Sequence, residues 1–241
     1  MKSITCIDIG NTNIVTGTYL ENSLKEIRRF ETSEKSILEI IKQSSESNAL
    51  AISSVVPKIE SSFKLHVNKP YFKVSHLNSS IHLNVDSPNE VGNDRICNMK
   101  VAIKNNLYPS IIIDFGSATT YDVIDEKGHF IGGAIAPGID VSAKYLFKKA
   151  EQLNEVNFII PESVIGKNTK TNLQSGIMYG GIDAINGMIT RIKEERNHQI
   201  KHLILTGGFS AILSENINHK HTVDTSLTIK GIKLIWDENN K

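Results

Sequence analysis

One arrangement occurs twice in this chain of 241 residues. A strand-like run ends in Asp-x-Gly, a second strand follows, and a turn leads into a third. The first copy passes from Ser3 to Ile9 through Asp8-Ile9-Gly10 and Asn11-Thr12-Asn13 into Ile14 to Tyr19, then through Glu21-Asn22 into Lys25 to Glu31. The second begins again at Ser110. It passes through Ile111-Ile112-Ile113 and Asp114-Phe115-Gly116-Ser117 into Ala118 to Ile124, then through Glu126-Lys127-Gly128 into His129 to Ile135. Alternating, β-branched runs bounded by Asn, Asp and Gly are strand and hairpin signals. One Asp-x-Gly is ordinary hairpin chemistry. Two, each closing the first strand of a three-strand meander, predict an internal repeat.

Helices are expected around these meanders. Ser33 is a candidate cap for a helix ending near Ser47. Leu50 to Val55 reads as a short buried strand stopped by Pro57, and Asp94-Arg95 opens a helix through Cys97, Val101 and Ile103. Pro137-Gly138 closes the second meander before a helix from Asp140 to Ala150. From Thr171 to Arg196, Ile177, Ile185, Met188, Ile189 and Ile192 fall at helical spacing. That stretch also carries Gly176, Gly180, Gly181 and Gly187, each costing a helix about 1 kcal/mol against alanine. Either close packing within the chain or a twin helix across a dimer axis accounts for them. Two last strands are expected at His202 to Leu205 and Lys233 to Trp236, with a helix from Phe209 to Glu215 between them. Thr206-Gly207-Gly208 ends the first of these, where a flat ligand could lie against bare backbone.

Lysine plus arginine number 27 against 26 acids, a net charge of +1. That balance gives no electrostatic footprint for nucleic acid or an anionic membrane. The two cysteines, Cys6 and Cys97, lack a disulfide or metal-ligand pattern and read as reduced, buried thiols. The apolar N-terminal run meets Asp8 too soon to be a signal-peptide core, and no run approaches the roughly 20 residues that span a bilayer. A cytoplasmic location is the expectation.

The two Asp-x-Gly turns suggest a chemistry. A glycine turn aims several backbone N–H groups one way, which suits phosphate oxygens. Thr12 and Asn13 add donors at the first turn, and Ser117, Thr119 and Thr120 add hydroxyls at the second. Each aspartate is an oxygen ligand for a hard cation or its waters. Singly, these are ordinary hairpins; facing each other, they would grip a polyphosphate and its metal. The segment Pro88 to Arg95 carries Asp94 beside Arg95. It is either a capped helix with a surface ion pair or a carboxylate for an attacking hydroxyl next to an arginine for an anionic substrate.

Asp8-Ile9-Gly10-Asn11-Thr12-Asn13, Gly92-Asn93-Asp94-Arg95, Asp114-Phe115-Gly116-Ser117-Ala118-Thr119-Thr120 and Gly132-Gly133-Ala134-Ile135-Ala136-Pro137-Gly138 resemble, in that order, the motif set of type III pantothenate kinases. Ile165 to Thr169, Gln174-Ser175-Gly176, Thr206-Gly207-Gly208 and Leu227 to Gly231 continue the similarity along nearly the whole chain. The resemblance implies an α/β fold of the actin, heat-shock ATPase and sugar-kinase superfamily. Two ribonuclease-H-like domains, residues 1–109 and 110–241, each a mixed sheet with helices, would flank a nucleotide cleft. It implies ATP at Asp8, Ile9, Gly10, Asn11, Thr12, Asn13, Ile14, Val15 and Ser117, with Mg2+ accompanying the nucleotide. It places K+ or NH4+ at Asp114 and makes Asp94 the base toward the pantothenate hydroxyl. Gly92, Asn93, Asp94 and Arg95 would hold pantothenate, with Thr169 contributed by the neighbouring subunit of a homodimer. The implied product, 4′-phosphopantothenate, starts coenzyme A synthesis.

Three positions depart from the family pattern. Ser117 stands for threonine, Asn93 for alanine and Val85 for tyrosine. Other readings share some of these features. A sugar or acetate kinase of the same superfamily would use both phosphate turns without needing Arg95. The net charge of +1 and the lack of a basic helix or recognition motif argue against an accessory factor for transcription that contacts DNA, and the Asp94-Arg95 pair speaks for chemistry over an actin-type nucleotide-dependent scaffold.

Overall fold

The computed structural model describes residues 3–240. Its chain forms two compact units, each discontinuous in sequence. One comprises Met1–Leu107, Glu126–Gly132 and Ser226–Lys241, and the other Tyr108–Asp125 and Gly133–Thr225.

In the first unit, β1 (Ser3–Ile9), β2 (Asn13–Leu20) and β3 (Ser23–Glu31) form an antiparallel meander. β4 (Ala49–Ser54) joins β1 in parallel and β5 (Phe72–Lys73) joins β4, giving the order β3-β2-β1-β4-β5. Period-two alternation splits β1 between two faces. Ile7 and Ile9 enter a core with Ile14, Ile40, Ile52 and Phe63, beneath α1 (Glu34–Gln43) and α2 (Pro57–His66). Cys6 and Asp8 occupy the opposite face, towards α3 (Asn93–Lys104) and the C-terminal helix α7 (Leu227–Asn239). α3 and α7 cross so closely that a Cβ on Gly231 would collide with the Cys97 carbonyl. Beside that crossing, Thr228 Oγ1 donates to Asn98 Oδ1 at 2.8 Å.

In the second unit, β6 (Ser110–Phe115) and β7 (Ala118–Ile124) are antiparallel. β9 (His202–Gly207) runs parallel to β6, and β10 (Thr222–Val223) parallel to β9. With β8 (Phe130–Pro137) the order is β10-β9-β6-β7-β8. Ile111, Ile113, Phe115 and Leu205 pack against Met178 and Ile182 of α5 (Thr169–Glu195). The helices α4 (Ile139–Lys149) and α6 (Ser210–Ser214) complete this unit. Both sheets are thus five-stranded and mixed, with parallel strands added beside an antiparallel pair.

Two sequence expectations need correction and one is extended. The first helix ends at Gln43, not near Ser47, because Lys69 Nζ donates to the carbonyls of Ser44, Ser45 and Ser47 and satisfies the chain end there. Pro57 does more than stop a strand: it opens α2, where its missing N–H costs nothing. Lys233 to Trp236 is not a strand but lies inside α7. Among the described residues, no helix is long and apolar enough to cross a membrane.

Candidate active site

The β1–β2 ladder pairs Asp8 with Val15 and Ile9 with Ile14, leaving residues 10–13 as the connecting turn. Gly10 N–H donates to the Asn13 carbonyl at 3.0 Å. Thr32 fixes the turn from the side: its N–H donates to the Thr12 carbonyl at 3.0 Å and its hydroxyl to the Gly10 carbonyl at 2.7 Å. Asn11 and Thr12 are exposed, so their polar groups can meet a ligand. Ile9 and Ile14 bury their side chains in the core, which leaves only their backbone for phosphate contact.

Asp8 is in register with Ser53 of β4. Cys97, on α3, shares this interior. Burial pushes its thiol well above the usual range, and the charges of Asp8 and then Asp94 push it further. Both carboxylates therefore bear on one buried group, which gathers the first turn and the start of α3 within the same unit.

Asp94 sits in the first turn of α3. Its own backbone neighbour, the Arg95 N–H, donates to Asp94 Oδ1 at 2.7 Å. Burial raises the Asp94 carboxyl above its ordinary range of about 3.8, more than the hydrogen bond from Arg95 N–H and the Arg95 charge lower it. Gly92 is the N-cap and makes no side-chain cap bond. A Cβ there would lie 2.5 Å from Asp94 Oδ1, so glycine is what leaves room for the carboxylate. Asn93 donates from Nδ2 to the Ser54 carbonyl at 3.2 Å, tying α3 to the end of β4.

The second turn is built on the same plan, one residue tighter. β6 and β7 pair Asp114 with Thr120 and Phe115 with Thr119, leaving residues 116–118, and Gly116 N–H donates to the Ala118 carbonyl at 3.1 Å. Gly138 N–H braces the loop through the Ser117 carbonyl at 3.1 Å. Strand parity separates the expected hydroxyls. Thr119 shares the Phe115 face and is buried there, whereas Thr120 shares the Asp114 face. Thr120 Oγ1 is buried without a hydrogen-bond partner. On the other flank, Asp114 is in register with Thr206. Gly207 has φ +87, and a Cβ on it would lie 2.5 Å from Asp114 Oδ1. Bare backbone is therefore the floor beneath this carboxylate.

Thr169 is exposed at the start of α5. Asn168 caps that helix reciprocally: its Oδ1 accepts from Thr171 N–H at 2.9 Å while Thr171 Oγ1 accepts from Asn168 N–H at 3.2 Å. Thr169 also lines a groove of about 540 Å³ with Asn157, Lys170 and Leu173.

The sequence reading missed two contributors. Ser53, in register with Asp8, was signalled only by small polar residues ending an otherwise apolar strand. Phe130, whose ring lies under the Arg95 guanidinium at 5.4 Å, carried no local signal.

Paired mixed sheets, each with a glycine turn after an aspartate at the end of its first strand, define the two-domain fold of actin-like ATPases and sugar kinases. Solved structures agree on that fold. A Campylobacter jejuni protein assigned by name to the Baf family of transcriptional activators is 20% identical, with 98% of each chain covered and a TM-score of 0.67. An inorganic polyphosphate/ATP-glucomannokinase from Arthrobacter sp. strain KM is 10% identical, with 99% of this chain and 100% of that one covered and a TM-score of 0.53. MreB5 of Spiroplasma citri, bound to AMPPNP, is 9% identical, with 99% and 97% covered and a TM-score of 0.54. Within this class the family is narrower: residues 4–191 match the family model of type III pantothenate kinase, and the chain belongs to that family of kinases.

Proposed function

We propose that the chain transfers the γ-phosphoryl group of ATP to the hydroxyl of pantothenate, giving 4′-phosphopantothenate as the first step towards coenzyme A. The observation that carries this reading is the Asp94-Arg95 pair at the head of α3. A partly buried carboxylate whose pKa is raised by desolvation stands beside an arginine. A neutral sugar would give Arg95 no carboxylate to hold; pantothenate has one. Membership of the family supports the same substrate.

In the mechanism, backbone N–H groups of residues 10–13 and 116–117 hold phosphate oxygens, with Thr12, Asn13 and Ser117 adding donors. Asp94 orients the attacking hydroxyl and takes its proton, and its raised pKa makes it the stronger base for that task. Arg95 anchors the substrate carboxylate through paired hydrogen bonds. Gly92 and Asn93 line the pantothenate site beside them, and Asn93, bonded to Ser54, also ties this loop to β4. Phosphoryl transfer of this kind depends chiefly on positioning and charge neutralisation.

Two cations suit the residues present. The Asp8 carboxylate fits the water shell of a nucleotide-bound Mg2+. Asp114 and the unpartnered Thr120 hydroxyl fit a monovalent cation such as K+ or NH4+. Bound there, the cations would neutralise charge on the triphosphate.

A homodimer is part of the reading, with Thr169 serving the partner's site. Gly181 is accounted for within the chain, since a Cβ on it would press on Ile139 of α4. Gly176, Gly180 and Gly187 face open space, and a twin helix supplies a reason for them.

Purified protein incubated with pantothenate, Mg-ATP and K+ should release ADP and form 4′-phosphopantothenate, detected by mass spectrometry. Turnover of a hexose or of acetate, with none of pantothenate, would reject the reading.

A further inference from the structure

The Arg95 guanidinium carbon lies 5.4 Å from the centroid of the Phe130 ring, within the range of a cation–π contact. Phe130 is 2 % exposed, and its position is fixed by more than packing. Its N–H donates to the His82 carbonyl at 3.0 Å, and its own carbonyl accepts from Asn84 N–H at 2.8 Å. These bonds flank a parallel bridge between Leu83 and Phe130. Next along the chain, the His129 ring packs against His82 in a tilted arrangement, with centroids 4.2 Å apart. All of these residues belong to the first unit. A short segment, 82–84, thus holds the ring under the guanidinium.

A guanidinium is planar, and all five of its N–H groups lie in that plane. An aromatic ring beside the guanidinium limits the directions in which that plane, and with it the donors, can turn. A carboxylate offers two oxygens matched to the edge of that plane. We propose that Phe130 is a positioning residue for substrate selection: its buried ring orients Arg95 so that the guanidinium edge meets the carboxylate of a hydroxy-acid substrate. The inference rests on the pantothenate kinase reading, and it adds that selection of the acid over neutral analogues runs through this ring.

The test compares pantothenate with pantothenyl alcohol, which keeps the reacting hydroxyl and replaces the carboxylate with a neutral alcohol. In Phe130→Leu, the KM for pantothenate should rise about two- to tenfold, while kcat, the KM for ATP and the KM for pantothenyl alcohol stay unchanged. Phe130→Tyr keeps the ring and should restore the wild-type preference, which also controls for folding of the leucine variant. Equal changes for both substrates, or an unchanged KM for pantothenate, would overturn the inference and leave the kinase reading standing. A wild-type protein that phosphorylates neither compound would remove the kinase reading, and this inference with it.

Discussion

The carboxylate of Asp94 takes the space that a side chain at residue 92 would fill, since a Cβ on Gly92 would lie 2.5 Å from Asp94 Oδ1. Gly92→Ala must therefore displace the proposed base while leaving the helix behind it in place. A shift of about 1 Å in a reacting group can cost on the order of 10²-fold in rate. Turnover should fall at least about tenfold, with nucleotide affinity retained. Steady-state kinetics alongside calorimetric ADP binding would check this; unchanged turnover would show that Asp94 need not sit where it does.

Asp94→Asn should reduce kcat by at least about 10²-fold, as loss of a general base does. It should also change stability with a definite sign. Burial raises the folded-state pKa of Asp94. The group's favourable contribution is thus fully present below its unfolded pKa and is lost as pH rises through its folded pKa. At neutral pH and above, the ionised carboxylate weakens the fold, so the asparagine variant should melt higher than wild type. Near pH 4 the gain should shrink. Thermal melts at both pH values would decide, and a variant that melts lower at pH 8 would contradict the burial argument.

The wild-type pH–rate profile should have an acidic limb whose apparent pKa exceeds the ordinary aspartate value of about 3.8. The limb should be missing from the residual activity of Asp94→Asn. A limb that survives the substitution would belong to another group.

Gly207 lies at φ +87 with Asp114 Oδ1 where its Cβ would be. Gly207→Ala should lose about 1–2 kcal/mol from left-handed strain alone, and more from the collision. It should also disturb the Asp114 carboxylate. Activation by K+ over Na+, expected for wild type, should be weakened in this variant and in Thr120→Val, and preserved in Thr120→Ser. Equal wild-type rates in the two salts would dismiss the cation from Asp114.

Gly180 faces open space within its own chain. Gly180→Arg should therefore leave the fold intact while blocking close approach of a second α5. Light scattering after size exclusion should report a dimer for wild type and a monomer for the variant. A variant that remains dimeric would place the interface elsewhere.

Much of the fold was readable because its signals are local. The alternation of Ser3 to Ile9 and the turn chemistry at Gly10 and Gly116 report a half-buried strand and its end wherever they occur. Helix α7 was misread for a physical reason. Its buried residues include Leu227, Ile229, Gly231, Lys233 and Ile235, which alternate as in a strand. That pattern arises because α7 packs on both α3 and the sheet, so more than one of its faces is covered. The site divides in the same way. Asp94 and Arg95 are adjacent in sequence and were legible together. Phe130 lies 35 positions from Arg95, and only the pairing of segment 82–84 with the start of β8 brings it there. The different facing of Thr119 and Thr120 likewise depends on strand register, which spacing alone does not fix.

The C-terminal helix lies within the first unit. Translation proceeds at about 5–20 residues per second, so the residues between Leu107 and Ser226 occupy the ribosome for on the order of ten seconds. For that interval the nascent chain carries Cys6, Asp8 and Cys97 without the helix that later covers them. Until Leu227–Asn239 is made, that face of the first sheet stays uncovered, and transiently exposed surface of this kind is what chaperones shield.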